Sequence, residues 1–382
     1  MEPFLAFSSS VLHYAIPFLV VLGIVVFVHE FGHFWIARLS GVRVESFSIG
    51  FGHELWGRED KRGTRWKVAW LPLGGYVKMF GDSDPSSARP DEKVKTMTED
   101  EKKVAFYHQP VGKRFAIVAA GPAANYIFAI LVLALLFLFN GQPYTPPVVN
   151  EVQENSAAMK AGIVPGDRVL SIGGETTDSF EDIKRVIMLN TGTPVDIALE
   201  RGGARKVIRA TPEVVPMTDR FGGEHKMARL GIVSEGMEFR SLSVPAALQQ
   251  AVMESWNLTA TTLEAVWQMI MGVRNADGLS GPLRIAEMSG KIAQEGTAAF
   301  VLFLAHISVS LGLVNLFPIP LLDGGHLVFY AAEKVRSRPL GDRAQEIGAW
   351  IGLFLVAMLM LFATWNDLVH LRVVSYIYGL FS

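Results

Sequence analysis

The chain has 382 residues, half of them hydrophobic, with a mean hydropathy of +0.30 and a formal charge of −2. That balance excludes a global basic field for nucleic acid, and the absence of cysteine excludes disulfides and thiolate zinc ligands. The apolar residues are gathered in a few long runs, so two or three soluble domains give way to a polytopic α-helical membrane protein with soluble insertions.

The first apolar run, about 13–37, is long enough to cross a bilayer. No Lys or Arg precedes Arg38, so the run lacks the basic n-region of a cleaved signal peptide and is expected to be retained. Inside it stands His29-Glu30-Phe31-Gly32-His33. Residues four apart share a helix face, so both imidazoles reach one metal, with Glu30 beside the water that metal would hold. Ionisable groups within a span are costly to bury and mark function by default. Two merely structural histidines would desolvate ring nitrogens and a carboxylate without compensation. The metal reading is preferred.

The segment 38–114 contains glycine-punctuated, strand-like runs at 45–80: Val44 to Gly52, Arg65 to Trp70, and Gly74-Gly75-Tyr76-Val77-Lys78-Met79. They predict a small β-hairpin or sheet against the membrane. Residues 81–103 are polar, Pro-containing and charge-rich, as in a loop. A second span follows at 115–139 and closes a first membrane half, 1–139. Residues 145–235 read as short strands with a helix near 179–190, giving one β-rich domain at 143–236. Its Ala161 to Gly174 stretch has a tight turn before a strand, as in a PDZ domain. Leu230-Gly-Ile-Val233 would then border a peptide groove in a circularly permuted version. The alternative is a β-domain without a ligand, acting as a steric cover. His53 and His108 read as loop histidines.

Residues 244–273 carry a helical apolar stripe (Leu248, Val252, Trp256, Leu263, Trp267, Ile270) and few charges. An amphipathic helix at the membrane surface is preferred to a span, with 244–299 a membrane-surface region. Spans at 300–331 and 346–364 form a second membrane half, 300–382, and bring the total to four. Basic residues flank the loops between spans 1 and 2 and between spans 3 and 4, so both loops are expected in the cytoplasm. Both termini and the β-rich domain are then extracytoplasmic. On that topology His29 and His33 lie about 22–28 Å along a helix from Tyr14, and Asp323 about 30 Å from Phe300. The two polar groups can meet near the cytoplasmic side.

Zinc needs a third protein ligand and an open position. Asp323 is the best candidate, in Asn315-Leu-Phe-Pro-Ile-Pro-Leu-Leu-Asp-Gly-Gly-His326, where two prolines and two glycines interrupt an apolar span. Its alternative role is to cap the helix that starts at the glycines. Asn315 reads equally as a hydrogen-bond donor to substrate backbone or oxyanion and as an interhelical polar group. For His326 and Asn125 the interhelical reading stands beside a site role.

Taken together these motifs resemble the site-2 protease family of intramembrane zinc metalloproteases, in particular its bacterial RseP-type members. The matching stretches are His29 to His33, Phe47 to Gly52, Pro72 to Met79, Gly121-Pro-Ala-Ala-Asn125, the PDZ-like insert, Leu279-Ser-Gly-Pro282, and the Asn-x-x-Pro-x-Pro-x-x-Asp-Gly run from Asn315. Only one PDZ-like unit is found, unlike the two-PDZ members. The resemblance implies Zn2+ held by His29, His33 and Asp323, with Glu30 as base. It also implies an edge strand at Gly74, Gly75, Tyr76 and Val77 presented to substrate. Expected substrates are single-pass transmembrane proteins already trimmed outside, such as anti-sigma factors, and remnant signal peptides. The expected site of action is the bacterial inner membrane, with the PDZ-like domain as a gate. Two competing readings are a membrane zinc hydrolase acting on lipid or a prenylated tail, and a non-catalytic PDZ scaffold with a vestigial metal site. The first predicts neither the insert nor the strand-forming loop, and the intact Glu30 and Asp323 argue against the second.

Overall fold

A computed structural model describes residues 2–82, 96–190, 192–218, 224–272, 281–338 and 341–370. Most of the polar loop expected at 81–103, together with Leu279 and Ser280, falls outside the described residues. The chain divides into two compact units. One comprises Met1–Leu135, Leu248–Glu264 and Leu279–Ser382, and the other Leu136–Ala247 and Ala265–Gly278.

The first unit opens with α1 (Glu2–Leu39), β1 (Val44–Glu59) and β2 (Arg65–Met79), then α2 (Glu99–Val104) and α3 (Val111–Phe139). Both long strands fold back on themselves, because Gly50 (φ 89°) and Gly74 (φ 129°) take backbone conformations that L side chains resist. Residues 46–49 pair on one side with 75–78, from Ser46↔Lys78 to Ile49↔Gly75. On the other side they pair with 65–68, from Ser46↔Arg65 to Ile49↔Val68, where both numbers rise together. Residues 54–59 then pair with 65–69. The hairpin is therefore a small sheet in the order 54–59, 65–69, 44–49, 75–79, and the last segment has no second strand partner among the described residues. Its inner face packs on α1 through a cluster that includes Phe34, Phe47, Val77 and Phe106, with Phe47 stacked on Trp66 at 4.5 Å.

The second unit carries β3 (Gln142–Tyr144), β4 (Glu151–Val152), α4 (Ala157–Lys160), β5 (Arg168–Ile172), β6 (Glu175–Thr176), α5 (Phe180–Leu189), β7 (Val195–Arg201), β8 (Ala204–Ala210), β9 (Glu213–Thr218), β10 (Glu224–Arg229), β11 (Ile232–Val233) and β12 (Glu238–Arg240). Its four-stranded sheet runs β6-β5-β7-β8. The apolar side of α5 (Phe180, Ile183, Val186, Ile187) buries against Val169, Ile172, Ile197 and Leu199. Ser179 starts that helix with a capping box to Asp182. Asp167, fully buried, is held by two 2.7 Å bonds from Arg201. A cleft of about 220 Å³ runs between α5 and residues 228–232, which include the predicted groove strand at Leu230.

The remaining helices are α6 (Val244–Ile270), α7 (Pro282–Glu295), α8 (Thr297–Asn315), α9 (Asp323–Arg336) and α10 (Asp342–His370). Among the described residues four stretches are long and apolar enough to cross a membrane: His13–Leu39, Val111–Phe139, Thr297–Asn315 and Gln345–Val369. The sequence suggested a third span to 331, but α8 stops at Asn315 and helix resumes only at Asp323. Pro318 and Pro320 lack the N–H groups a helix needs, so the seven intervening residues leave the helical path. α6 lies along the flanks of two spans. Tyr126 of α3 bonds Thr259 (3.0 Å), and His306 of α8 faces Glu254 (3.9 Å). Ala247, Ala251 and Ser255 face inward, while Leu248, Trp256 and Trp267 are exposed. The start of α7 is fixed by Asp367 of α10, which accepts hydrogen bonds from the N–H groups of Gly281, Leu283 and Arg284.

Candidate active site

Helical spacing puts His29 and His33 on one side of α1, and both rings are buried, each 8% exposed. Their Nε2 atoms lie 3.2 Å apart. The proline-broken loop brings Asp323 to them: its Oδ2 is 3.1 Å from His29 Nε2 and 3.5 Å from His33 Nε2. No side-chain cap is formed at the start of α9, so the carboxylate serves the imidazoles and not the helix end. These three residues are the one His/Cys/Asp/Glu group among the described residues able to hold a metal ion.

The donor set fits zinc. Bonds of about 2.0 Å in a tetrahedral arrangement require ligand atoms about 3.3 Å apart, close to the three separations here. The second ring nitrogen of His33 is also settled, since its Nδ1 faces the carbonyl of Ile117 at 2.9 Å. With the proton held on Nδ1, Nε2 presents a lone pair.

A cavity of about 430 Å³ opens on this cluster. Glu30 lines it, as do Asn315, Leu321 and His326. Gly75, Tyr76 and Val77 form another wall, so the unpaired side of the sheet borders the same space. Glu30 is within backbone hydrogen-bonding reach of Val77. A Cβ at Gly75 would come within 2.8 Å of the Ser48 carbonyl oxygen and 3.2 Å of Glu30 Cγ, and the backbone contact explains why that strand residue is glycine. Gly74 does not line the cavity; it makes the bend that starts the strand, against Phe51. Asn315 Nδ2 lies 3.5 Å from His29 Nε2, facing the cluster from the end of α8.

Residues 17–359 match peptidase family M50. The chain belongs to that family. Over 372 residues it is 44% identical to a protein of Agrobacterium fabrum provisionally named a zinc metalloprotease, covering 96% of this chain and 99% of the relative. It is 31% identical over 454 residues to the regulator of sigma-E protease RseP of Salmonella typhimurium, covering 94% of this chain and 99% of the relative. A quarter of the chain (24%) resembles the PDZ domain of the SdrC-like protein of Listeria monocytogenes, covering 88% of that structure at 20% identity and a TM-score of 0.20. This M50 peptidase is a membrane zinc metalloprotease of the site-2 protease type.

Three further residues border the site; the sequence marked Gly121 and Asn125 only as part of one stretch, with an interhelical reading open for Asn125, and did not mark the third. Gly121 of α3 sits against both imidazoles, and a Cβ there would overlap His33 Nε2. Asn125, one turn on, is fully buried with its amide against His29. The spacing Ile117, Gly121, Asn125 on one helix was the available signal. The third is Gly352 of α10, which touches the Asp323 loop and leaves no local pattern around it.

Proposed function

We propose that this zinc metalloprotease is an intramembrane endopeptidase that cuts peptide bonds within transmembrane segments of other proteins, as a step of regulated intramembrane proteolysis. What carries the reading is one cavity that joins two imidazoles, two carboxylates and an unpaired strand edge. A transmembrane helix hides its amides in its own hydrogen bonds, so a protease of such segments needs a surface that holds them unwound. An edge strand supplies that surface by pairing with the extended substrate.

In this reading His29, His33 and Asp323 would hold zinc, which would supply Lewis acidity to the site. Glu30 takes a proton from the attacking water and delivers it to the leaving nitrogen. Asn315 donates a hydrogen bond from Nδ2 to the developing oxyanion. Gly75, Tyr76 and Val77 fix the substrate strand beside Glu30, with Gly74 setting the bend that aims it.

Substrates are single-pass membrane proteins trimmed beforehand on the extracytoplasmic side, anti-sigma-factor-like, together with leftover signal peptides. The Salmonella relative's name, regulator of sigma-E protease, supports a regulatory role of this kind. Flanking charge supports a bacterial inner-membrane topology with both termini and the PDZ-like domain outside. The test is incubation of purified, zinc-loaded enzyme with a panel of transmembrane peptides, the cut being located by mass spectrometry. Cleavage inside the apolar segment is expected, and Glu30→Gln should lose it by at least a hundredfold with zinc retained. A Glu30→Gln enzyme of full activity would remove Glu30 from the chemistry, and no cleavage of any peptide by the parent would sink the proposal.

A further inference from the structure

Three residues spaced by four line the side of α3 that meets the histidine pair. Ile117 offers its carbonyl to His33 Nδ1 at 2.9 Å. Gly121 gives both rings clearance. Asn125 sets its amide 3.3 Å from His29 Nδ1. The first fixes the tautomer of His33, and the third is placed to do the same for His29.

The ends of that amide are not equivalent. Nδ2 faces the ring, and a ring nitrogen that receives its N–H must be unprotonated. The ring proton would then sit on Nε2, the atom turned toward Asp323 and His33. A metal ligand cannot keep a proton there. Meanwhile Asn125 Oδ1 is buried and has no hydrogen-bond partner among the described residues. Turning the amide end for end gives Oδ1 the His29 ring N–H as a donor and leaves His29 Nε2 with its lone pair.

We infer that Asn125 is a positioning residue for zinc, its Oδ1 accepting the Nδ1–H of His29 and so holding that ring in the metal-binding tautomer. Its backbone is tied down for the task, because Ser308 Oγ of α8 donates to the Asn125 carbonyl at 3.0 Å. A buried partner on the far nitrogen of a metal-bound imidazole orients the ring and raises its basicity. The inference rests on His29 being a zinc ligand.

The test compares Asn125→Leu, Asn125→Asp and His29→Gln in the full-length enzyme, reading zinc affinity by chelator competition. Asn125→Leu removes the acceptor and should weaken zinc about 10–100-fold. Asn125→Asp keeps an acceptor in the same place and should hold zinc within a few-fold of the parent. In the unmodified zinc-loaded protein, ¹⁵N spectra of the ring should show His29 Nδ1 protonated, a readout that needs no substitution to fold. Wild-type affinity in Asn125→Leu, an equal loss in Asn125→Asp, or an unprotonated His29 Nδ1 would overturn the inference. Should His29→Gln keep its zinc, the ligand assignment beneath it fails instead.

Discussion

Asp60 sits in the turn between β1 and β2, yet it governs how the sheet is seated on the helix that carries the histidine pair. It accepts the N–H groups of Arg62 (2.8 Å) and Thr64 (3.1 Å) and the indole N–H of Trp66 (3.1 Å), and it pairs with Arg38 in the last turn of α1. Burial works against its charged form, but the bonds from Trp66, Arg62, Thr64 and Arg38 outweigh that and hold its carboxyl down at about 2. An unfolded aspartate titrates near 3.9, so the bound form is favoured above that pH and its contribution is lost as pH falls toward 2. Asp60→Asn should therefore destabilise the sheet by roughly 1–3 kcal/mol at neutral pH. Thermal unfolding in detergent should show the gap between variant and parent closing between pH 4 and pH 2. A gap independent of pH would mean that the charge is not what matters.

Among the elements, α10 is the one whose part in the site is indirect. A Cβ on Gly352 would overlap the backbone oxygen of Pro320, so this span approaches the loop of Asp323 as closely as backbone permits. Gly348, one turn away, faces Pro320 more loosely, and its Cβ would meet the edge of the Phe329 ring at 2.9 Å. Between Pro320 and Asp323, Leu321 is held at φ 99°, a conformation costly for a leucine and kept only under constraint. Gly352→Ala must push the loop, and zinc affinity should fall at least tenfold. Gly348→Ala can be absorbed by a ring that swings aside, and its affinity should stay within about threefold. Chelator competition measures both; equal effects would dissociate the glycines from the ligand loop.

At the scale of the whole molecule, the two compact units have separate cores. The cluster around Val169, Ile172 and Leu199 draws only on residues 149–230, while those around Phe47 and Val21 draw on none of 143–236. Removing 143–236 should therefore spare the zinc site while abolishing selection against substrates with intact ectodomains. Assays pairing trimmed and untrimmed substrates would check this, with zinc content as the control. Unchanged selectivity would refute the gate.

The membrane layout of this protein and its candidate site were both legible in the sequence. His29 and His33 stand four apart on an apolar helix with Glu30 beside them, and Asp323 stands in a stretch whose prolines forbid helix, so local rules were enough to single them out as candidates. The number of spans and the alternating runs of the soluble parts were legible for the same reason, since apolar length and burial periodicity are local, whereas the end of the third span was not. Tertiary structure decided what depends on residues far apart in the chain. Of the hairpin or sheet expected at 45–80, the chain forms the sheet, whose 44–49 segment has partners on both sides because glycine bends let each strand return. The helix expected at the membrane surface also bonds to α3 and α8, through side-chain contacts that no single-segment pattern contains. Gly121, Asn125 and Gly352 acquire meaning only once their helices close on the site, since clearance and tautomer control belong to pairs of surfaces and not to a stretch of sequence.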